Sequence, residues 1–230
     1  MDAGESDAYE RERAAMVERQ LRERGIHDRR VLEAMARVPR EAFVPEWQRD
    51  AAYADGALPI PGGQTISQPY VVARMTELLA VEPGMRLLEI GTGSGYQAAI
   101  LAELGALVVS IERVPELAAS ARERLRRLGY GERVDVRVGD GSLGDAAGAP
   151  WPRIIATAAA PHVPVPLREQ LDPSGGRMVI PVGGRSHQEL LVVERHGGDW
   201  LERSDGAVVF VPLVGEAGWE GAPAGQEPAP

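Results

Sequence analysis

From Met85 onward, short apolar runs alternate with stretches that have helical spacing. Five strands are predicted from the runs M-R-L-L-E-I, A-L-V-V-S-I, V-D-V-R-V, R-I-I-A-T-A and R-M-V-I-P-V. The first of these are almost entirely apolar, which is typical of a sheet buried on both faces. Helical stretches at residues 96–104 and 116–128 separate the first three strands. This alternation predicts a parallel sheet with crossover helices.

Two further apolar runs follow near the C-terminal end. They are E-L-L-V-V-E and A-V-V-F-V-P, on either side of R-H-G-G-D-W. The Gly-Gly pair predicts a tight antiparallel hairpin that closes the sheet. The predicted fold class is therefore α/β: a doubly wound, mostly parallel, seven-stranded sheet of the Rossmann-like kind.

The first 45 residues have helical character. A charged helix is predicted over residues 9–24, and Gly25 is placed to end it. A second helix follows, with Asp28 as its N-terminal cap and Pro39 as its end. These helices predict an N-terminal helical extension that packs on the sheet.

Loop-like composition marks residues 51–63, which contain two prolines and three glycines. From Glu216 the chain is rich in Pro, Gly and Ala, so it is predicted to be a disordered tail. The predicted organisation is a helical extension at residues 1–60, a core domain at 61–215 and a tail at 216–230.

Composition narrows the function classes. The 230 residues include 44% hydrophobic and 26% charged residues and no cysteine, so disulfides, thiolate catalysis and cysteine–zinc sites are excluded. A net charge of -9 opposes contact with phosphate backbones. No apolar run reaches the roughly 20 residues of a membrane helix, and no secretory signal opens the chain. We expect a cytoplasmic protein that binds no nucleic acid, membrane or metal.

The stretch E-I-G-T-G-S-G-Y-Q, residues 89–97, ends the first predicted parallel strand. Ligands bind beyond the carboxyl ends of such strands, and glycine lets them approach the main chain closely. A dinucleotide fingerprint needs a third glycine where Tyr96 stands. Glu89 would repel a phosphate and attract a cation. The pattern therefore favours S-adenosylmethionine, which carries a sulfonium and an amino group.

Two more acidic residues follow the next strands. Glu112 ends the second strand, where a carboxylate can accept hydrogen bonds from ribose hydroxyls, as it also does in nicotinamide enzymes. Asp140 lies in G-D-G after the third strand and is placed to accept from an adenine amino group. The alternative for both is a role in a turn or helix cap.

A second motif, G-G-Q-T-I-S-Q-P-Y at residues 62–70, precedes an apolar helix that Ser67 can cap and whose first turn suits Pro69. Joined to the glycine motif, it resembles the protein-L-isoaspartate O-methyltransferase family. The resemblance runs over residues 16–213 and includes R-Q-L-R-E-R-G-I, V-P-R-E-A-F-V-P, A-T-A-A-A-P, E-Q-L-D-P-S-G-G-R-M-V-I-P-V-G and F-V-P-L.

The resemblance implies a seven-stranded methyltransferase sheet and a repair activity. A methyl group would pass from S-adenosyl-L-methionine to the carboxylate of L-isoaspartyl residues in damaged proteins and peptides, leaving S-adenosyl-L-homocysteine. The ester would then close to a succinimide that hydrolyses partly to normal aspartate. A monomer is expected.

The resemblance also implies a set of site residues. Ser67 would be the active-site serine, which positions the acceptor carboxylate by a hydrogen bond and is not a nucleophile. The cofactor would lie among Ile66, Gln68, Glu89, Gly91, Thr92, Gly93, Ser94, Gly95, Glu112, Arg113, Asp140 and Gly141. The peptide would contact Thr65, Ile66, Ser67, Ala158 and Ala159. Thr65 and the A-T-A-A-A-P loop at residues 156–161 would shape the peptide cleft.

Three departures from the family pattern leave alternatives open. Pro152 stands where an Asp is usual, Val214 where a Thr is common, and residues 142–148 read S-L-G-D-A-A-G. The same chemistry on an ordinary aspartate of one dedicated peptide is the close alternative. A non-catalytic cofactor-binding protein and a nicotinamide dehydrogenase are the more distant ones.

Overall fold

The computed structural model describes residues 3–220, with side chains from residue 7. The helices are α1 (Ala3–Met16), α2 (Arg29–Arg37), α3 (Pro69–Leu79), α4 (Tyr96–Glu103), α5 (Pro115–Arg127) and α6 (Val165–Glu169). The strands are β1 (Leu58–Ile60), β2 (Gln64–Ile66), β3 (Arg86–Ile90), β4 (Leu107–Glu112), β5 (Val134–Val138), β6 (Arg153–Ala156), β7 (Ser174–Gly183), β8 (Gln188–His196) and β9 (Asp199–Val208). None of the helices in this part of the chain has the length and apolar composition to cross a membrane.

Seven strands form one sheet in the order β5-β4-β3-β6-β7-β8-β9. Strands β3 to β7 pair in parallel, and β8 and β9 join antiparallel. The predicted fold class is confirmed. Because β4 and β6 lie on opposite sides of β3, the strand order reverses there, and such a reversal opens a crevice for a ligand.

The sheet is buried on both faces, as its apolar strands predict. Leu87 belongs to the core that the sheet shares with the N-terminal helices, α3 and α4. Its neighbour Leu88 belongs to a second core, which includes Leu167 of α6. Each such side chain contributes about 1.5–3 kcal/mol by leaving water. The two cores therefore fix the strand ends on which the site is built.

The N-terminal helices agree with the sequence prediction. Asp28 caps α2, because its Oδ1 accepts from the N–H groups of Arg30 and Val31 at 2.8 and 3.4 Å. Gly25 has a φ of +90°. Two details differ: α1 begins at Ala3, ahead of the predicted residue 9, and it continues into a π-helical turn at Val17–Arg22.

Two elements differ from the prediction. The last strand, β9, includes only Ala207 and Val208 of the predicted run A-V-V-F-V-P, because it starts directly after the Gly197–Gly198 turn, where Asp199 pairs with His196. A two-residue turn requires this immediate pairing. The turn therefore sets the start of β9, although β9 is a polar strand at the edge of the sheet. The loop predicted at residues 51–63 also contains structure, since β1 pairs with β2.

The chain does not become a tail at Glu216. Residues 213–219, here called the C-terminal strap, fold back so that Val214 bridges Trp219. The Trp219 indole N–H donates to the Ala159 carbonyl at 3.0 Å. The prediction of disorder rested on composition, which contains no information on these backbone hydrogen bonds. The rest of the predicted tail, residues 221–230, lies outside the described residues, and the domain boundaries stay a prediction.

Candidate active site

The glycine motif makes a tight turn from β3 into α4. Gly91 has a φ of +92° and donates its N–H to the Ile111 carbonyl at 2.8 Å. A Cβ at this position would lie 2.6 Å from Thr157 Oγ1. Gly95 has a φ of +88° and is the N-terminal cap residue of α4. Glycine is thus required at this turn, and the bare backbone forms the floor of a cleft.

Glu112 stands beside this floor because β3 and β4 run parallel. Its Oε2 accepts from the Gly93 N–H at 2.8 Å, and its Oε1 accepts from the Val114 N–H at 2.9 Å. These bonds give Glu112 the predicted alternative role in a turn. Each carboxylate oxygen can accept a second hydrogen bond, so the turn role leaves the side chain able to bind hydroxyl groups.

Glu89 lies beneath the floor and is completely buried. Its Oε2 accepts from the Ser110 hydroxyl at 2.5 Å, and Ser110 also bonds Thr92 Oγ1 at 2.6 Å. Its Oε1 has no hydrogen-bond partner in the part of the chain that the structure describes. Burial raises the pKa of Glu89 to about 8, aided by the nearby charge of Glu112 and opposed by the Ser110 hydrogen bond. An unpartnered buried carboxyl oxygen favours a cation above it.

Asp140 is the N-terminal cap of a 3-10 turn, so the cap alternative holds for it. Its Oδ1 accepts from the N–H and hydroxyl of Ser142, and its Oδ2 accepts from the Glu216 N–H of the strap at 2.8 Å. Burial alone would raise the pKa of Asp140, but these hydrogen bonds and the Arg113 charge lower it below its usual range. The strap therefore covers part of the predicted adenine contact.

Ser67 lies between β2 and α3 and is half-buried. The cap of α3 is Gln68, with no side-chain hydrogen bond, so the prediction that Ser67 caps this helix is wrong. Pro69 is the first residue of the helix, as predicted. Within residues 7–220 the Ser67 hydroxyl has no hydrogen-bond partner. Its backbone carbonyl accepts from Arg40 Nη2 at 2.8 Å.

Most predicted site residues line one continuous cleft in two parts. The narrow part contains Thr65, Ile66, Ser67, Gly91, Thr92, Gly93 and Ser94. The wider part contains Thr65, Gly91, Gly93, Glu112, Arg113, Gly141 and Ala158. Since Thr65, Gly91 and Gly93 border both parts, the serine loop and the glycine turn face the same space.

Five predicted residues do not line this cleft. Glu89 and Gly95 lie behind the floor, and Asp140 is covered by the strap. Gln68 instead donates from Nε2 to Asp55 Oδ1 at 2.7 Å. Ala159 is buried and bonds the strap through its backbone carbonyl. These positions leave Glu89 and Asp140 close to the cleft without forming its surface.

Two more groups line the cleft: Thr157, from the loop predicted to shape the peptide cleft, and residues 211–214, which were not predicted as site residues. Thr157 borders both parts of the cleft and donates its hydroxyl to the Ile90 and Gly91 carbonyls. Residues 211–214, just before and within the strap, form the opposite wall. A sequence signal existed for both, because Thr157 lies in A-T-A-A-A-P and residues 211–213 in F-V-P-L, which carried the resemblance. Backbone pairing brings them here: Thr157 N–H donates to the Ile90 carbonyl, and Ala159 bridges Pro212.

Comparisons with known proteins agree with this geometry. The family model described as protein-L-isoaspartate(D-aspartate) O-methyltransferase matches residues 11–218. A protein-L-isoaspartate O-methyltransferase from Methanoculleus marisnigri is 52% identical over 217 residues, which cover 94% of this chain and 98% of the relative. A solved protein-L-isoaspartate O-methyltransferase aligns with a TM-score of 0.80 and 28% identity, over 90% of this chain and 67% of that one. A β-aspartate methyltransferase from Plasmodium falciparum, in complex with S-adenosyl-L-homocysteine, shares the fold with a TM-score of 0.75 and 24% identity, over 88% and 98% of the two chains.

Proposed function

The chain belongs to the protein-L-isoaspartate O-methyltransferase family, and from that premise we propose that Ser67 and the glycine turn hold its two reactants. The enzyme transfers a methyl group from S-adenosyl-L-methionine to the carboxylate of L-isoaspartyl residues, which begins their repair. One observation carries the residue assignment: Ser67, Gly91 and Gly93 border the same narrow cleft.

The donor half of the site fits the cofactor. The bare backbone at Gly91 and Gly93 allows close approach, and the remaining lone pairs of Glu112 suit ribose hydroxyls. Glu89, with its unpartnered oxygen, suits the cationic methionine end. Asp140 Oδ2 keeps one acceptor position for an adenine amino group beside the strap. When bound, the cofactor supplies an activated methyl group on a sulfonium, and transfer of this methyl group leaves a neutral thioether.

The acceptor half needs a hydrogen-bond donor and no base. An acceptor carboxyl has an ordinary pKa near ~4 and is already ionised at pH 7. What the protein must supply is alignment and exclusion of water. Ser67 donates its free hydroxyl to one carboxylate oxygen and leaves the other to face the methyl group. A groove on the other side of Ser67, lined by His187, Phe210 and the exposed Val209, accommodates the flanking peptide.

Three properties are proposed more broadly. A net charge of -9 supports a protein that binds no nucleic acid. The absence of cysteine supports a cytoplasmic location. A monomeric enzyme is proposed as well, in keeping with the expectation from the sequence.

Methyl transfer to matched peptides tests the function. Three peptides that differ only in carrying isoaspartate, aspartate or asparagine at one position are incubated with the protein and radiolabelled cofactor. We expect label in the isoaspartyl peptide alone. Label in the aspartyl peptide alone would replace repair by the tailoring of a dedicated peptide. No label in any of them would overturn the proposed activity.

A pH dependence of cofactor affinity is expected from Glu89. Its pKa is raised from an ordinary 4.5 to about 8, so the fold favours the neutral acid. The corresponding stability is complete below pH 4.5 and is lost as the pH rises through about 8. A bound ammonium group favours the carboxylate. Binding therefore releases a proton near neutral pH, and affinity rises by up to about tenfold per pH unit below pH 8.

Calorimetry with S-adenosyl-L-homocysteine in buffers of different ionisation enthalpy measures this proton release. Glu89→Gln is the matched variant, since it keeps the shape and cannot ionise. We expect proton release between pH 6.5 and 8 for the wild type and a flatter profile for the variant. Any ionisation of the ligand's own amino group is common to both proteins. Identical profiles would exclude Glu89 as the source.

A further inference from the structure

Arg40 lies directly behind the serine loop. It belongs to a 3-10 turn, Arg40–Phe43, in the N-terminal extension, and it is completely buried. Its Nε donates to the Ala52 carbonyl at 2.7 Å, and its Nη2 donates to the Ser67 carbonyl at 2.8 Å. The guanidinium also lies over the Tyr96 ring, 5.0 Å from the ring centroid. The side chain thus connects the extension to the residue assigned to the acceptor.

This arrangement is costly as a purely structural device. Among residues 7–220, no carboxylate forms an ion pair with Arg40, and its Nη1 has no hydrogen-bond partner. Burial lowers the pKa of Arg40, and the neighbouring hydroxyls of Tyr96 and Tyr53 only partly offset this. Taking a charge out of water costs several kcal/mol, and Arg40 has only its hydrogen bonds and the Tyr96 ring to offset that cost. Arg40 therefore contributes something other than stability.

We propose that Arg40 is a positioning residue that fixes Ser67 for the transfer reaction. Its hydrogen bond holds the carbonyl of the Ser67–Gln68 peptide, and because that peptide is planar, it restricts the rotation of the Ser67 backbone. The direction of the Ser67 hydroxyl follows from that backbone. This inference rests on the proposed role of Ser67 and adds the residue that orients it.

A second hydrogen bond holds the next residue of the loop, Gln68. Gln68 Nε2 donates to Asp55 Oδ1 at 2.7 Å, and Arg24 holds the same carboxylate through Nη1 at 3.0 and 3.1 Å. These groups are exposed, so their hydrogen bonds compete with water. The hydrogen bond from Arg40 does not compete with water in this way, because the Arg40 side chain is completely buried. Precise positioning of the serine loop therefore depends mainly on this arginine.

Steady-state kinetics on Arg40→Met tests the proposal. We expect kcat/KM for an isoaspartyl peptide to fall by about tenfold, the effect of one hydrogen bond of ordinary strength. The affinity for S-adenosyl-L-homocysteine should stay within about twofold, because Arg40 does not line the narrow part of the cleft and reaches the start of α4 only through the Tyr96 ring. Arg30→Met is the matched control. Arg30 likewise donates to two carbonyls, those of Val81 and Leu104, away from the cleft, and its loss should leave kcat/KM unchanged.

A double-mutant cycle with Ser67→Ala separates positioning from general damage. If Arg40 acts through the Ser67 hydroxyl, Arg40→Met should reduce kcat/KM less than about twofold in the alanine background. An equal reduction in both backgrounds would overturn the proposal. If Arg40→Met does not fold, Arg40→Lys provides the test. Its single ammonium cannot bridge both carbonyls, so we expect kcat/KM to fall by at least about threefold. A wild-type kcat/KM would contradict the proposal. If Ser67→Ala is itself without effect, the proposed role of Ser67 fails; if Ser67→Ala slows the reaction and folded Arg40 variants do not, only the Arg40 inference fails.

Discussion

Ser67→Ala should lower kcat/KM for an isoaspartyl peptide by roughly 10- to 150-fold while the affinity for S-adenosyl-L-homocysteine stays unchanged. The hydroxyl is half-buried, borders the cleft and has no partner among residues 7–220. A hydrogen bond to a charged acceptor contributes about 1.5–3 kcal/mol, which sets the size of the effect. Stability should change little, because α3 is capped by Gln68 and not by Ser67. Initial rates of methyl transfer and calorimetry measure the two quantities separately.

Two companion variants sharpen this test. Ser67→Thr keeps the hydroxyl and should recover part of the lost activity. Ser120→Ala removes an exposed hydroxyl of α5 that only accepts from Arg124 Nη2, so wild-type kinetics are expected. An active Ser67→Ala enzyme would show that the acceptor is held elsewhere, with the backbone N–H groups of the loop as the next candidates.

The parallel half of the fold was readable because burial on two faces leaves a simple pattern. Runs such as that of β3 are apolar at successive positions, and the structure puts Leu87 and Leu88 in opposite cores. The edge strand β9 gave no such signal, since its residues are mostly exposed. Its position is set by the turn at Gly197, which forces pairing with β8. The apolar run at residues 207–212, which begins at the end of β9, was therefore mistaken for the whole strand.

The predictable and unpredictable parts of the site differ in the same way. Local sequence patterns determine the first, and contacts between distant residues determine the second. The glycine turn and Glu112 follow strand ends, so the topology predicts their meeting, and the structure brings them together through the Gly93 N–H. Asp140 was predicted to accept from an adenine amino group or to cap a turn, but nothing predicted that the strap donates to it from a position 76 residues away. The Arg40 contact with Ser67 spans 27 residues through a buried side chain. No local pattern encodes such contacts, because they depend on how separate elements pack.

Gly91→Ala should cause the largest loss of cofactor affinity. An alanine at a φ of +92° is strained by about 1–2 kcal/mol. Its Cβ would also lie 2.6 Å from Thr157 Oγ1. Thr157 would have to turn away and release the Ile90 and Gly91 carbonyls, at about 1 kcal/mol for each hydrogen bond. The floor would then shift, so we expect S-adenosyl-L-homocysteine to bind at least about tenfold more weakly and the melting temperature to fall.

Two further glycines separate backbone strain from loss of the site. Gly129 follows α5 with a φ of +86°, and a Cβ at this position would meet nothing within 4 Å. Gly129→Ala therefore has comparable backbone strain far from the cleft. This variant should bind the cofactor normally. Gly93 borders the cleft, and its Cβ would meet only Ile60 Cδ1 at 3.8 Å. Gly93 has a φ of +52°, so Gly93→Ala should lose about as much stability as Gly129→Ala through backbone strain. It should also weaken binding, because the added methyl group obstructs the ligand and not the protein. If Gly91→Ala and Gly93→Ala both bind S-adenosyl-L-homocysteine as tightly as Gly129→Ala does, the donor does not lie on this turn.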